Sequence, residues 1–443
     1  MARDWWQRPG VIIAAALLVR LLTLLPALGC VPFSDEDEYH QLATRLAAGR
    51  GYCSDQGVPT AWRPPLWPFA MSLVYRVVGP HSGAARLLQG ALGTALVATL
   101  LLLAGVVAPE SPRARTIVGW WAVCSPTLLY YSHSLFSETL FALLSSVAFV
   151  LLLRLRTGGP ARAAWGAGVL LGLACLCRGS TIVLVPLLAL WLAVERRRAA
   201  LVVTLVCALT VAPWTARNWL VFGALVPVDT NGMANVYFGN HPRAPLLRAF
   251  DVADLPDRPP ALGEREPDRQ KYALEQTKLL LRAHPGRFLL GLGTKTGNLW
   301  GLERGLPGGV GAGLYRWRGR SAQAAATALG LLDGGLLLVL GALGLGLSPN
   351  RRAAALQWCV IGTLTFVHAV SYGHSRYRFG AVPLLIVFAA LALSQRTTLR
   401  ADLAALPTAR RRWTVGLAVL LAVNQGYEVV VLEAARVLGW IRF

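Results

Sequence analysis

Residues 11–40 read VIIAAALLVRLLTLLPALGCVPFSDEDEYH. An apolar run, Val11–Gly29, is interrupted by one charge, Arg20, and is followed by four consecutive carboxylates, Asp35, Glu36, Asp37 and Glu38. A helix rises about 1.5 Å per residue, so roughly 20 apolar residues cross the hydrocarbon core of a bilayer. The run is close to that length. We read it as a first membrane span, and the acids as the opening of a water-facing loop.

The same pattern recurs along the chain. Ala91–Val107, Thr139–Leu153 and Leu331–Leu347 are almost free of charge, and the 443 residues are 55% apolar and 15% charged. A soluble domain carries about 25% charged residues. The fold class expected is therefore an all-α polytopic membrane protein, a helical bundle with two extracytoplasmic loops containing short helices. Spans are predicted near 11–29, 84–107, 116–132, 138–155, 163–177, 180–195, 199–216, 323–347, 353–371, 380–395 and 413–432. That makes eleven, give or take two. In this reading residues 1–443 form a single membrane domain. The first outer loop is 30–83, with a short apolar segment, Leu66–Val78, along the interface; the second is 217–322; residues 323–443 are the C-terminal spans.

Charge orients the spans. The net charge is +21, and all but three of the 43 basic residues are Arg. They cluster in short turns between apolar runs: Arg113/Arg115, Arg154/Arg156/Arg162, Arg196–Arg198, Arg351/Arg352 and Arg410–Arg412. That is the positive-inside pattern rather than the basic surface of a nucleic-acid binder. The N-terminus, with Arg3 and Arg8, is then inside and the C-terminus outside. Acids sort the other way: five lie in the first outer loop and eight in 217–285 (Asp229, Asp251, Asp254, Asp257, Glu264, Glu266, Asp268, Glu275), more than half of the 22. Phe288–Trp300 carries Lys295 and Asn298 and is read as an amphipathic interfacial helix, because a full span there would invert every later basic turn. Most of the seven Cys read as small apolar residues. Cys30 and Cys53 border the first loop and are able to pair. Cys30 after an apolar run also matches a lipoprotein signal, although the polytopic body that follows favours a membrane anchor.

Six places carry residues suited to chemistry. In Ser34–His40 the crowded carboxylates disfavour joint ionisation, which raises at least one pKa and suits a general base; the plain alternative is a solvated acidic turn. Trp62-Arg63-Pro64-Pro65-Leu66-Trp67-Pro68 offers Arg63 as a planar fork for phosphate, or serves only as an interfacial anchor. His133 and Glu138 flank an outer turn, where Glu138 is either functional or a helix cap. Arg178, at an outer helix end, and Arg20, within a span, each need a partner: a carboxylate, a backbone carbonyl or a phosphate. Pro213–Trp219, with Arg217 and Asn218, leads to Asp229-Thr230-Asn231-Gly232 and Gly239-Asn240. His374-Ser375-Arg376-Tyr377-Arg378 breaks the positive-inside trend at an outer end, which points to an anionic ligand. There is no Walker loop, dinucleotide fingerprint or HExxH, so nothing suggests a nucleotide-driven pump or a zincin.

The order of these motifs resembles the bacterial polytopic glycosyltransferases of the GT-C fold, relatives of protein O-mannosyltransferases and lipid A aminoarabinose transferases that include rhizobial-type lipopolysaccharide galacturonosyltransferases. The matching pieces are Asp35-Glu36-x-x-Tyr39, Gly51-Tyr52, Arg63-Pro64-Pro65-Leu66-Trp67-Pro68, Ser137-Glu138, Gly172-Leu173-Ala174 leading to Arg178, Pro213–Asn218, Gly239-Asn240 and Arg376-Tyr377-Arg378, over roughly 10–395. The resemblance implies a polyprenyl-phosphate sugar donor and an extracytoplasmic lipid, glycan or protein acceptor, at the outer face of a bacterial inner membrane. It implies catalysis by an acid among Asp35, Glu36 and Asp37, with Asp35 or Asp37 as base and inversion at the anomeric carbon. Donor phosphate and lipid fall to Arg63, Arg178, Lys295, Arg376 and Arg378. Tyr39, His133, Glu138, Arg217, Asn218, Asn231, His374 and Tyr377 fill the pocket. No metal ligand set or cofactor is implied. The competing expectations are a transporter or lipid flippase without bond cleavage, and a noncatalytic scaffold.

Overall fold

The computed structural model describes residues 4–246, 265–316 and 319–432; Asp251, Asp254, Asp257 and Glu264 and the C-terminal end lie outside them. Every regular element among the described residues is a helix, and none is a strand. Helix α1 (Pro9–Leu24) leads to two loop helices, α2 (Asp35–Ala47) and α3 (Leu66–Val78). Then come α4 (Ser82–Val107), α5 (Pro112–Cys124), α6 (Pro126–His133), α7 (Glu138–Arg156), α8 (Ala163–Cys177) and α9 (Leu184–Phe222). Helices α10 (Gly232–Asn240), α11 (Glu266–Ala283), α12 (Pro285–Trp300) and α13 (Gly305–Ala312) follow. The chain continues as α14 (Arg320–Leu347), α15 (Arg351–Val370), α16 (Val382–Ser394), α17 (Leu399–Ala404) and α18 (Thr408–Tyr427).

Among the described residues, eight segments are long and apolar enough to cross a membrane: Pro9–Ala27, Ser82–Val107, Glu138–Arg156, Gly179–Phe222, Arg320–Leu347, Arg351–Val370, Ser375–Ser394 and Thr408–Val430. Helices α3 and α8 are apolar but shorter. The segment expected as one span at 116–132 is two helices, broken at Ser125-Pro126, where a proline stops the preceding turn. The break is stabilised by Asp333 of α14. Its carboxylate accepts from Trp121 Nε1 (3.0 Å), Ser125 Oγ (2.6 Å) and the Thr127 N–H (3.3 Å). Helix α9 loses helical geometry at Arg196 (φ −139°, ψ 62°), so its two halves correspond to the two spans expected there. Gly168 of α8 abuts Val203 and Val206, and Gly172 abuts Cys207 and Thr210, so α8 and the second half of α9 run parallel.

The basic turns gather at one end of the bundle. Glu195, beside the kink, accepts from Arg156 (2.5 Å) at the end of α7 and from Arg352 (3.1 Å) at the start of α15. Asn350 reaches the carbonyls of Val106 and Val107, both at 3.2 Å, and Arg410 reaches that of Ser348 at 2.9 Å. Glu138 opens α7 at the opposite end, about 27 Å away by helical rise. Helix α16 is apolar on every side and sits in the middle, packed on α14, α5 and α4. A helix of that composition belongs in a core. The turn Ser375–Ala381 enters it directly and is therefore held rigidly at the acidic end.

Arg20 is fully buried and donates to the carbonyls of Ala16 (3.3 Å) and Ala122 (3.2 Å), so its partner is backbone. Cys30 and Cys53 do not pair: both thiols are free and buried, donating to the carbonyls of Pro26 and Arg50 respectively. Trp67 is no interfacial anchor. It is fully buried and its Nε1 donates to the Leu135 carbonyl at 2.7 Å, fastening the first loop to the α6–α7 turn.

Candidate active site

Ser34 opens the site. It takes φ +51°, the one non-glycine residue with positive φ among those described, and places Asp35 at the start of α2. Backbone strain of this kind is retained where surrounding structure over-determines it, often at functional sites. Successive helical residues turn by 100°, so α2 divides its acids between faces. Asp35 accepts from Arg63 (2.5 Å) and from Arg376 (2.7 Å). Glu36 is completely buried and accepts from Arg86 (2.9 Å) and the Leu135 N–H (3.0 Å). Asp37 turns away, accepting from Gln41 on its own helix (2.6 Å), while Glu38 caps the outer side of Arg63 (2.6 Å).

The Asp35 contacts extend into a chain of alternating charge. Arg376 also binds the buried Glu138, which accepts from Arg178 (2.8 Å). Glu38, Arg63, Asp35, Arg376, Glu138 and Arg178 thus form one neutral sequence of three acids and three arginines. Aromatic rings support it. Arg63 lies over Tyr39 (5.6 Å), Arg376 over Phe136 (3.9 Å) and Arg178 over Tyr377 (5.4 Å), and Tyr377 stacks on His368 (4.4 Å). The His374 side chain accepts from the Arg376 N–H (3.1 Å), capping the turn that aims Arg376.

Electrostatics separate the carboxyls. Burial pushes Asp35 up, but Arg63 and Arg376 outweigh it and hold the group at about 2, so it is a carboxylate at any physiological pH. Glu36 is raised, because burial outweighs Arg86 there. Burial raises Tyr39 to about 12. Asp229 is raised by burial to about 6, against the pull of the Asn231 N–H and of Arg63 and Arg178.

A second feature adjoins this chain. An open cleft is lined by Asn240, His284, Arg287, Lys295, Asn298 and Tyr372 among others, with no carboxylate among its described lining residues. Lys295 donates to Asn240 Oδ1 (2.8 Å) and the Val370 carbonyl (3.3 Å), and Arg287 donates to the carbonyls of Ala244 (2.5 Å) and His241 (3.3 Å). Burial lowers Lys295 to about 8. Gly239 and Gly373 let backbone close up here: a Cβ on either would run into the Ser371 or Lys295 carbonyl. Tyr372 and Gly373 line the cleft, and three residues later the chain reaches Arg376, so cleft and ion-pair chain are neighbours.

The remaining residues singled out in the sequence lie elsewhere. Arg378 is buried against Glu303 (3.4 Å) and the Leu299 carbonyl (3.2 Å), away from Asp35, because the turn at 375–381 points it to the opposite side from Arg376. His133 bridges Thr23 (3.2 Å) and Tyr315 (3.0 Å) within the bundle. Arg217 binds the carbonyls of Thr60 (2.8 Å) and Tyr52 (3.0 Å), and Asn231 that of Trp62 (3.0 Å), so these two tie the second loop to the first, whereas Asn218 binds the Val226 carbonyl (3.0 Å) within the second loop. Sequence reading passed over Arg86, Glu303 and Arg287. The signal for Arg86 and Glu303 was available in each case as a lone charge near an apolar run, which demands a partner.

The helical bundle with its loop helices has the GT-C fold, as its likeness to solved structures shows. No family model matches the chain, and no curated protein does. Among solved structures it is similar to the archaeal oligosaccharyltransferase AglB from Archaeoglobus fulgidus in complex with an inhibitory peptide and a dolichol-phosphate, at 15% identity and a TM-score of 0.52, covering 98% of this chain and 56% of that one. The apo form of the Archaeoglobus fulgidus oligosaccharyltransferase gives 14%, 0.53, 98% and 57%. ArnT from Cupriavidus metallidurans bound to undecaprenyl phosphate gives 14% and 0.44, with 94% and 88% covered. The chain thus spans little more than half the length of the oligosaccharyltransferase.

Proposed function

We propose that this protein is a membrane glycosyltransferase that moves a sugar from a polyprenyl-phosphate donor to an extracytoplasmic acceptor. The observation that carries the reading is the Asp35 carboxylate, bridged by Arg63 and Arg376 beside a basic cleft free of described acids. A carboxylate in contact with cations suits a reaction that both accepts a proton and releases an anion. The dolichol-phosphate held by a protein of the same fold agrees with such a donor.

In this reading the donor phosphate sits in the cleft against Lys295 and Arg287 and draws on Arg376 or Arg63. That relieves Asp35 of part of its positive surroundings and makes it a better base than its ligand-free pKa allows. The acceptor hydroxyl oxygen attacks the anomeric carbon and its proton passes to Asp35. The bond from anomeric carbon to phosphate oxygen breaks, its electron pair leaving with the lipid phosphate. Charge developing on that oxygen meets fixed cations, which is where such groups contribute most. A single displacement inverts the anomeric centre. Glu138 holds Arg376 and Arg178 in place; Asp37, facing Gln41, has no part in the step. The end of the bundle with Asp35 faces the periplasm of a bacterial inner membrane, opposite the basic turns. Residues 1–443 act as one membrane domain, with loops 30–83 and 217–322 supplying the site and 323–443 the closing spans.

The test is purified protein in lipid nanodiscs with a panel of labelled prenyl-phosphate sugars and membrane-extract acceptors. Release of prenyl phosphate with label on an acceptor is expected. Label that crosses a liposome bilayer still attached to its lipid, without cleavage, overturns the reading in favour of a flippase.

A further inference from the structure

Asp229 differs from the acids around it. Asp35, Glu36, Glu138 and Glu303 each face a guanidinium within 3.4 Å. No cation stands within ion-pair distance of Asp229 among the described residues, although it is close enough to feel the charges of Arg63 and Arg178. The residues on either side of it are anchored. The Thr230 N–H donates to the Ala61 carbonyl (2.9 Å), two residues before Arg63. The Asn231 amide donates to the Trp62 carbonyl (3.0 Å), and Trp214 Nε1 and Asn218 Nδ2 donate to the Val228 carbonyl (2.7 and 3.4 Å). The carboxylate meets the N–H groups of Gly179 and Asn231, and a Cβ at position 179 would occupy the place of its Oδ2. Gly179 directly follows Arg178, so the glycine admits Asp229 to the end of the ion-pair chain.

A half-buried carboxylate positioned by so many contacts, yet lacking a cation, retains lone pairs for a neutral donor. Arg63 and Arg178 nearby disfavour a cationic ligand. Neighbouring hydroxyls of a sugar ring fit both conditions. We propose that Asp229 is a specificity-determining residue that accepts hydrogen bonds from ring hydroxyls of the transferred glycosyl group. The assignment rests on the donor reading above and adds the element that recognises the sugar rather than its phosphate.

The experiment compares binding of a prenyl phosphate and of prenyl-phosphate glucose, mannose and galactose to wild-type protein and to Asp229→Asn in nanodiscs. The wild-type chain binds at least one sugar lipid more tightly than the bare prenyl phosphate. Asp229→Asn loses that margin by about 10- to 100-fold, the range for a hydrogen bond to a charged group, and binds prenyl phosphate unchanged. Bare prenyl phosphate therefore reports the fold of the variant. A second arm leaves the protein untouched: singly deoxygenated versions of the preferred sugar lipid are bound by wild type, and one of them binds with the affinity that Asp229→Asn shows for the intact lipid. Unchanged sugar-lipid affinity in Asp229→Asn, or an equal loss for sugar lipid and prenyl phosphate, overturns the assignment. A wild-type chain that binds no prenyl phosphate overturns the donor reading itself, and this assignment with it.

Discussion

The Asp35 carboxylate lies between the guanidiniums of Arg63, at 2.5 Å, and Arg376, at 2.7 Å. The three residues come from the first helix of one loop, the turn that follows it, and the entrance to a core helix far along the chain. Removing the charge leaves two arginines without their shared partner and the acceptor without its base. Asp35→Asn is expected to lower transfer by about 10²- to 10⁴-fold, the usual contribution of a general base, while membrane insertion is preserved. Turnover assays on protein verified by size-exclusion profile decide the point, and Asp37→Asn serves as the comparison that retains activity.

Glu138 is fully buried and faces both Arg178 and Arg376. Glu138→Gln takes away the ion partner of Arg178 and leaves Arg376 with Asp35 alone, the loss of a buried partner that destabilises by about 3–5 kcal/mol. A clear drop in the thermal midpoint in detergent is expected, larger than that of Asp37→Asn. Equal midpoints would show that Glu138 does not hold the chain of charges together.

Lys295, at about 8, donates to Asn240, with Arg287, His284 and Tyr372 on the same cleft. It is protonated below that pH and loses its charge above it. Prenyl-phosphate affinity should therefore fall as pH rises from 7 to 9. In Lys295→Met affinity starts lower, by roughly 10-fold for a lost charged hydrogen bond, and the fall across that interval disappears. Calorimetric titration at three pH values makes the comparison.

Asp35 has its pKa depressed from 3.8 to about 2 on folding. The stability this contributes is fully present above the unfolded value and is lost as pH falls through the folded one. The difference in thermal midpoint between wild type and Asp35→Asn should thus persist at pH 5 and shrink between pH 4 and 2. A difference independent of pH over that interval would assign it to packing instead.

Gly239 packs its Cα against the Ser371 backbone beside Asn240 and Lys295. Gly239→Ala is expected to push α10 away from the cleft and weaken prenyl-phosphate binding, whereas Gly232→Ala, with open space at its Cβ, leaves it unchanged. Binding measured for the pair tests whether that close approach shapes the cleft.

The amino-acid sequence by itself determined that this chain is a polytopic helical membrane protein. Apolar runs of spanning length, separated by arginine turns such as Arg196–Arg198, satisfy a constraint the bilayer imposes locally, on each segment in turn. It also singled out Asp35, Arg63, Glu138, Arg178 and Arg376 as residues suited to chemistry at the outer face. Only the tertiary structure decided which partners they have. The 100° step between helical residues turned Asp35 inward and Asp37 away, and the turn before α16 sent Arg376 to Asp35 but Arg378 to Glu303. The same assembly left Asp229 without a cation and gave Lys295 a cleft. Pairings across hundreds of residues depend on how helices pack, and packing is set by shape on every helix face at once, which no local pattern records.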